Sequence, residues 1–254
     1  MKIAILQREI AWADPTTNRQ RFSETFSRCE KADLYVLPEM FSTGFCTQPQ
    51  GIAEPADSRT LQWMKDSAMQ HNCALAGSVA VEEKGLFYNR FYFVKPDGSV
   101  TCYDKHHLFT FGGEDKHYTA GKDRVIVEYM GVRILLQICY DLRFPVFSRN
   151  RNDYDMVLYV ASWPSSRAEA WKALLRARAI ENQCFIAGVN RVGNDPACSY
   201  SGDSVVLDAY GRTLASCTPG VECEAYADID MNELEKFRQK FPVLNDGDDF
   251  TLKQ

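Results

Sequence analysis

No apolar run in this sequence approaches the roughly 20 residues that a bilayer-spanning helix requires. The opening MKIAILQREIAW also lacks the apolar stretch and cleavage site of a secretory leader. Together these absences predict a cytoplasmic protein with no membrane partner. Positive charge is not in excess: 29 Lys and Arg are dispersed among 34 Asp and Glu, for a formal charge of −5. A nucleic-acid partner therefore has no electrostatic footprint to meet. GxGxxG and P-loop motifs are missing, so a nucleotide cofactor has no support. No linker, low-complexity stretch or internal repeat interrupts the chain.

What is present describes an ordinary globular protein. Apolar residues make up 45% of the 254 positions and charged residues 25%, enough to bury a large core, and the reading is one domain over 1–254. The nine cysteines are an odd number, and the closest pair, Cys217 and Cys223, is too far apart for a CxxC motif. They are expected to be reduced thiols that act mostly as small hydrophobes, with room for one nucleophile.

IAILQ, LYVLP and ALAGSVAV suit buried strands. Asp14 followed by Pro15 starts one helix between them, and Asp57 or Ser58 caps a second that runs to about His71. The pattern then changes to LFYNRFYFV, a Pro96-Asp97-Gly98 turn, SVTCYDKHHLF, VIVEYM and VRILLQIC, which look like successive antiparallel strands. Helices return near Pro145 and over Ser165–Gln183, where Trp171, Leu174, Leu175 and Ala179 share a face, with Arg176 and Glu181 on the surface. FIAGVN, DSVVLDAYG, TLASCT and EAYADID read as further strands before a helix from about Asn232 to Phe241. The mixture predicts layered α/β architecture, with a mixed sheet or two packed sheets covered by helices.

Three residues that can do chemistry sit where apolar strands end, which is where α/β folds place their sites. Glu39 follows LYVLP, where poor solvation would bring a carboxylate toward a general base's range; a surface turn suits the same position. Cys139 closes VRILLQI, and Pro145 soon forces a new element, so a tight strand-to-helix turn can present its thiol, although burial explains many such cysteines. A thiol needs a cation or base beside it to work at neutral pH. Lys105, after an apolar and aromatic strand, can face the same cavity or remain a solvated charge. A carboxylate, a cation and a thiol are the parts required for acyl transfer.

LPEMFSTGF around Glu39, YDKHHLF around Lys105 and ICYDLRFP around Cys139 resemble the three signature segments of the nitrilase superfamily, the carbon-nitrogen hydrolases. Their order and their separations of 66 and 34 positions agree as well. The resemblance implies a four-layer αββα sandwich of two mixed sheets covered by helices. It makes Glu39 general base, Lys105 the support of the tetrahedral intermediate, and Cys139 the nucleophile that forms a thioester. It makes the Tyr140 backbone N–H a second oxyanion donor. Glu114, in FGGEDKHYTAG, matches an additional glutamate that many members place beside the lysine and cysteine. No cofactor is implied, and homodimers or larger homo-oligomers are.

CYDLRFPVFSRN, SWP..R..AWKALLRARAIENQ and Y.GDS are similar to the omega-amidase branch of the bacterial YafV type. That branch hydrolyses the terminal amide of dicarboxylic monoamides such as 2-oxoglutaramate, 2-oxosuccinamate and succinamate to the dicarboxylate and ammonia. Ser162-Trp163-Pro164 departs from the Asn-Trp-Pro of many relatives, and the shorter side chain bears on the choice of acyl group. An aliphatic amidase, N-carbamoylase or nitrilase would use the same machinery, and a catalytically silent interaction protein on the same fold is the reading from another class.

A distal substrate carboxylate needs a cation. Arg167 is the expected clamp. Arg143, in a segment shared across the superfamily, is expected to hold Asp141 or backbone. Phe45, Tyr140 and Trp163 are expected to wall the pocket, although simple core suits them too. His106 and His107 would point to opposite faces if they continue a strand, which argues against joint chelation. Glu114-x-x-His117 has the spacing of a di-iron ligand pair but lacks a second copy. No metal site is expected.

Overall fold

Nearly every central strand is covered on both faces in the computed structural model, which describes residues 1–252, and this explains apolar runs that are continuous rather than alternating. The chain opens with β1 (Lys2–Gln7), α1 (Pro15–Arg28), β2 (Leu34–Val36), the short β3 (Glu54–Pro55), α2 (Arg59–His71) and β4 (Ala74–Glu83). β2 lies parallel between β1 and β4. β5 (Leu86–Val94) and β6 (Val100–Asp104) then extend the sheet antiparallel.

β7 (Ile126–Tyr129) and β8 (Val132–Ile138) form a hairpin in a second sheet. The one-turn α3 (Pro145–Ser148), β9 (Met156–Ala161), α4 (Ala168–Glu181) and β10 (Phe185–Asn190) follow, with β8, β9 and β10 parallel. A small hairpin, β11 (Val192–Asn194) with β12 (Ser199–Ser201), precedes β13 (Val205–Leu207) and β14 (Thr213–Ser216), which return to the second sheet. β15 (Cys223–Asp228) crosses back beside β1, and α5 (Met231–Lys240) follows it. The strand orders are β15-β1-β2-β4-β5-β6, with β3 on β4, and β14-β13-β10-β9-β8-β7.

Side-chain alternation along each strand builds the layers. Ile3 and Ile5 join Ile134, Leu136, Leu158 and Val160 in the core between the sheets. Ala4 and Leu6 turn the other way, against Phe22 and Phe26 of α1 and Met64 and Ala68 of α2. On the far side, Val157 and Tyr159 meet Trp171, Leu175 and Ala179 of α4. The result is the expected αββα sandwich. The helix starts follow local chemistry: Asp14 Oδ1 accepts the Thr17 N–H at 3.0 Å, with Pro15 opening α1, and Ser58 rather than Asp57 caps α2 by accepting the Leu61 N–H at 3.1 Å.

Three expectations need correction. The hairpin β7–β8 does not continue the β5–β6 ladder but opens the other sheet. β6 ends at Asp104, so KHHLF is a loop. The fully buried β9, at the heart of the second sheet, has no counterpart in the sequence reading. Such a short run with both faces covered shows no alternation that would mark it as a strand.

Candidate active site

Four strand ends, two from each sheet, converge on one cluster. Lys105 directly follows β6, Cys139 directly follows β8, Ser162 directly follows β9, and Glu39 lies three positions past β2. At Cys139 the backbone turns sharply from β8 into the 3-10 turn Cys139–Arg143, and φ is +45°. A non-glycine residue in this left-handed region is strained and needs firm surroundings to stay there. The expected tight turn is therefore present, and it presents the thiol at a cavity of about 610 Å³.

The ammonium of Lys105 lies between two carboxylates. It donates to Glu39 Oε1 at 3.0 Å and to Glu114 Oε2 at 2.9 Å and Oε1 at 3.2 Å. All three side chains are buried, which overturns the readings of Glu39 as a surface turn residue and of Lys105 as a solvated charge. Backbone donors hold the carboxylates in turn: Ser162 N–H reaches Glu39 Oε2 at 2.8 Å, and Phe109 N–H reaches Glu114 Oε2 at 2.6 Å. Gly121 shields this corner, since its N–H donates to the Lys105 carbonyl at 2.9 Å and a Cβ there would lie 2.1 Å from the Asp104 carbonyl oxygen.

Burial works to depress the Lys105 pKa, but the charges of Glu114 and Glu39 outweigh it and hold the ammonium protonated. Glu114 is raised above the ordinary carboxyl range: burial raises it and the repulsion of Glu39 adds to this, against the attraction of Lys105. Burial also pushes the Cys139 thiol well above its usual range, with the Glu39 charge adding to the effect and Lys105 offsetting only part of it. A thiol raised in this way would have to surrender its proton in order to attack, so a base beside it would matter more than a cation.

The same shift has a consequence for stability. Cys184 is likewise raised well above the usual thiol range by burial. Both groups keep their protons in the folded state while unfolded thiols ionise, so their stabilising contribution is complete below about pH 8.5 and declines above it. Urea unfolding under reducing conditions should show a loss of about 2 kcal/mol per such thiol between pH 8 and pH 10. A flat profile over that interval would contradict the assignment.

Phe45, Tyr140, Trp163 and Arg167 all line the cavity. The Arg167 guanidinium lies 5.4 Å from the Phe109 ring centre, and the Lys105 ammonium lies 5.3 Å from that of Phe45. Arg143 departs from expectation. It is not bonded to Asp141 but lies 4.8 Å from the Trp163 ring centre and lines the same cavity. Donors from Tyr103, His107 and Ile138 already occupy Asp141. Ser162 borders the cavity, and it also holds Glu39: besides its N–H contact, its hydroxyl donates to the Glu39 carbonyl oxygen at 3.3 Å.

His106 and His107 do not continue a strand, and their rings stand edge to face at 4.5 Å rather than on opposite faces. Among the described residues no group of three or more His, Cys, Asp and Glu side chains is arranged to hold a metal ion. Glu114 is committed to Lys105, not paired with His117. Asn89 escapes the sequence reading altogether. Its side-chain N–H₂ reaches Glu39 Oε1 at 2.8 Å and Glu114 Oε1 at 3.2 Å, bridging the carboxylates beside Lys105. The signal is a single amide within the apolar run LFYNRFYFV, where a buried polar group needs partners.

The model of the carbon-nitrogen hydrolase family matches residues 2–239. Over 253 residues the chain is 44% identical to the omega-amidase YafV of Yersinia enterocolitica, covering 99% of this chain and 98% of that one. It is 37% identical to the 2-oxoglutaramate amidase of Bacillus subtilis, over 96% of each. Among solved structures, XC1258 of Xanthomonas campestris, a CN-hydrolase superfamily protein with an arsenic adduct in its active site, matches with a TM-score of 0.97 at 42% identity, covering 100% of this chain and 99% of that one.

Proposed function

This chain belongs to the carbon-nitrogen hydrolase family and is an amide-hydrolysing enzyme, and on that premise we propose that it is an omega-amidase whose machinery is Glu39, Lys105, Cys139 and Glu114. The substrates are short dicarboxylic monoamides such as 2-oxoglutaramate and succinamate. The observation that carries the chemistry is one buried ammonium held between two buried carboxylates, with the Cys139 thiol at the same cavity.

The Cys139 sulfur attacks the amide carbonyl while its proton passes to Glu39. The oxyanion receives hydrogen bonds from the Lys105 ammonium and the Tyr140 backbone N–H. Breaking the C–N bond returns the proton from Glu39 to the departing amine, which leaves as ammonia, and a thioester remains. Glu39 next takes a proton from a water that attacks the thioester. Collapse releases the carboxylic acid and restores the Cys139 thiol. Glu114 keeps Lys105 charged and in place throughout.

Arg167 takes the distal carboxylate of the substrate, because an unpaired anion in this largely apolar cavity would be costly. Rates on succinamate and on uncharged butyramide test this. Arg167→Met should reduce kcat/KM for succinamate by about 10- to 100-fold, the loss of one charge-assisted contact, and leave butyramide nearly unchanged. Equal losses on both would assign Arg167 to structure, and a selective loss in Arg143→Met instead would transfer the clamp to Arg143. No ammonia from any dicarboxylic monoamide would remove the omega-amidase reading itself.

The chain acts as one carbon-nitrogen hydrolase domain in the cytoplasm, a reading supported by the family match over residues 2–239 and by nine unbridged cysteines. It assembles as a homodimer or larger homo-oligomer. Exposed Ile180, Tyr210 and Phe241 support this assembly, with the Phe237 ring tilted against the Tyr210 ring at 3.9 Å between centres.

A further inference from the structure

We infer that Asp141, His107 and Tyr103 form a positioning clamp that locks the strained Cys139 turn against the segment carrying Lys105. The inference rests on the proposed roles of Cys139, Tyr140 and Lys105. None of the three clamp residues lines the cavity, so they act through the residues beside them.

The Asp141 carboxylate is fully buried and accepts from four donors. Its Oδ2 takes the Ile138 N–H at 2.9 Å and the Tyr103 hydroxyl at 2.8 Å, while Oδ1 takes the His107 N–H at 3.0 Å and His107 Nδ1 at 2.8 Å. A carboxylate is an acceptor, so this partner fixes Nδ1 as the protonated nitrogen of His107. The sequence positions of the donors carry the argument. Ile138 directly precedes Cys139, and Asp141 directly follows Tyr140. Tyr103 and His107 stand two positions before and after Lys105. One anion therefore joins the turn that carries the thiol and the Tyr140 N–H, from the second sheet, to the loop that carries Lys105, from the first.

Ring contacts reinforce the join. His107 stacks on Phe144 at 3.9 Å, and His106 stacks on Phe147 at 4.2 Å, so the exit of the Cys139 turn packs against the exit of the lysine strand. The Tyr103 hydroxyl also accepts the His106 N–H at 3.1 Å. A left-handed cysteine persists only where its surroundings over-determine it, and φ at Cys139 is +45°. Asp141 meets that need by gripping the N–H just before Cys139 from within the turn itself. Release of the grip allows the turn to relax, moving the sulfur and the Tyr140 N–H away from the Lys105 ammonium.

The test compares His107→Phe, which keeps a ring for stacking but removes both nitrogens, with His107→Asn, which restores a side-chain donor, and with Tyr103→Phe. Each folded variant is measured for kcat and KM on succinamate and for the rate at which iodoacetamide labels Cys139, followed by peptide mapping. His107→Phe should lower kcat by about 10- to 100-fold, the scale of a misplacement near 1 Å. KM should stay within about twofold, and Cys139 labelling should slow in parallel. His107→Asn should recover most of both rates. Tyr103→Phe, which removes one of the four donors, should show the same split at smaller size. A folded His107→Phe enzyme with unchanged kcat and labelling would overturn the clamp, as would a loss confined to KM or thermal stability. The labelling arm needs no substrate: a wild-type enzyme inactive on monoamides whose Cys139 labelling still depends on His107 would refute the omega-amidase reading and support the clamp.

Discussion

Cys139→Ala is expected to cut ammonia release from succinamate by roughly 10⁴- to 10⁶-fold, the range seen when a hydrolase loses its nucleophile, with KM changed little. The expectation follows from the state of the cluster around the thiol. Burial and the Glu39 charge raise the thiol pKa, so on the proposed mechanism its reactivity comes from proton transfer to Glu39 at the moment of attack. Glu39 is held for that task by Ser162, Asn89 and Lys105. Without the sulfur, Glu39 could still activate water, but water would have to attack the amide directly, without the thioester that divides one difficult step into two. Purified Cys139→Ala that releases ammonia within tenfold of wild type would eliminate the covalent route. Mass spectrometry of wild type quenched during turnover should show the acyl group on Cys139. Its appearance on any of the other eight cysteines would reassign the nucleophile.

The parts of this site that sequence reveals are those set by local chemistry. Asp14 and Ser58 cap helices because their side chains reach N–H groups three residues away. Glu39, Lys105 and Cys139 stand out because each ends an apolar run. Partnerships across the sandwich are a different matter. Tyr103 meets Asp141 over 38 positions and Asn89 meets Glu39 over 50, and neither spacing leaves a mark in a single sequence. Arg143 shows the cost of reasoning from neighbours: a guanidinium two residues from Asp141 suggests an ion pair, yet His107 and Tyr103 occupy that carboxylate. The arginine is therefore left to the cavity. The same limit explains the misplaced β7–β8 hairpin. Local alternation identifies two strands but does not say which sheet will pair them.

On the proposed mechanism, Lys105→Met removes more than an oxyanion donor. That loss alone typically lowers kcat by about 10²- to 10³-fold. The methionine also leaves Glu39 and Glu114 facing each other in a buried site, with the Asn89 side chain still donating to both. Two like charges in that setting cannot both remain ionised at low cost, so one carboxylate takes up a proton. Whenever that carboxylate is Glu39, the base is lost as well. The expected fall in kcat therefore exceeds 10³-fold, and stability should drop by about 3 to 5 kcal/mol, as when one partner of a buried ion pair is deleted. The two effects can be separated. Adding Glu114→Gln to Lys105→Met removes the surplus carboxylate, so the double variant should regain much of the lost stability in urea unfolding while remaining inactive. If the double variant is no more stable than Lys105→Met, the two carboxylates are not competing for one ammonium. If Lys105→Met itself turns over succinamate at the wild-type rate, the ammonium neither stabilises the oxyanion nor keeps Glu39 charged.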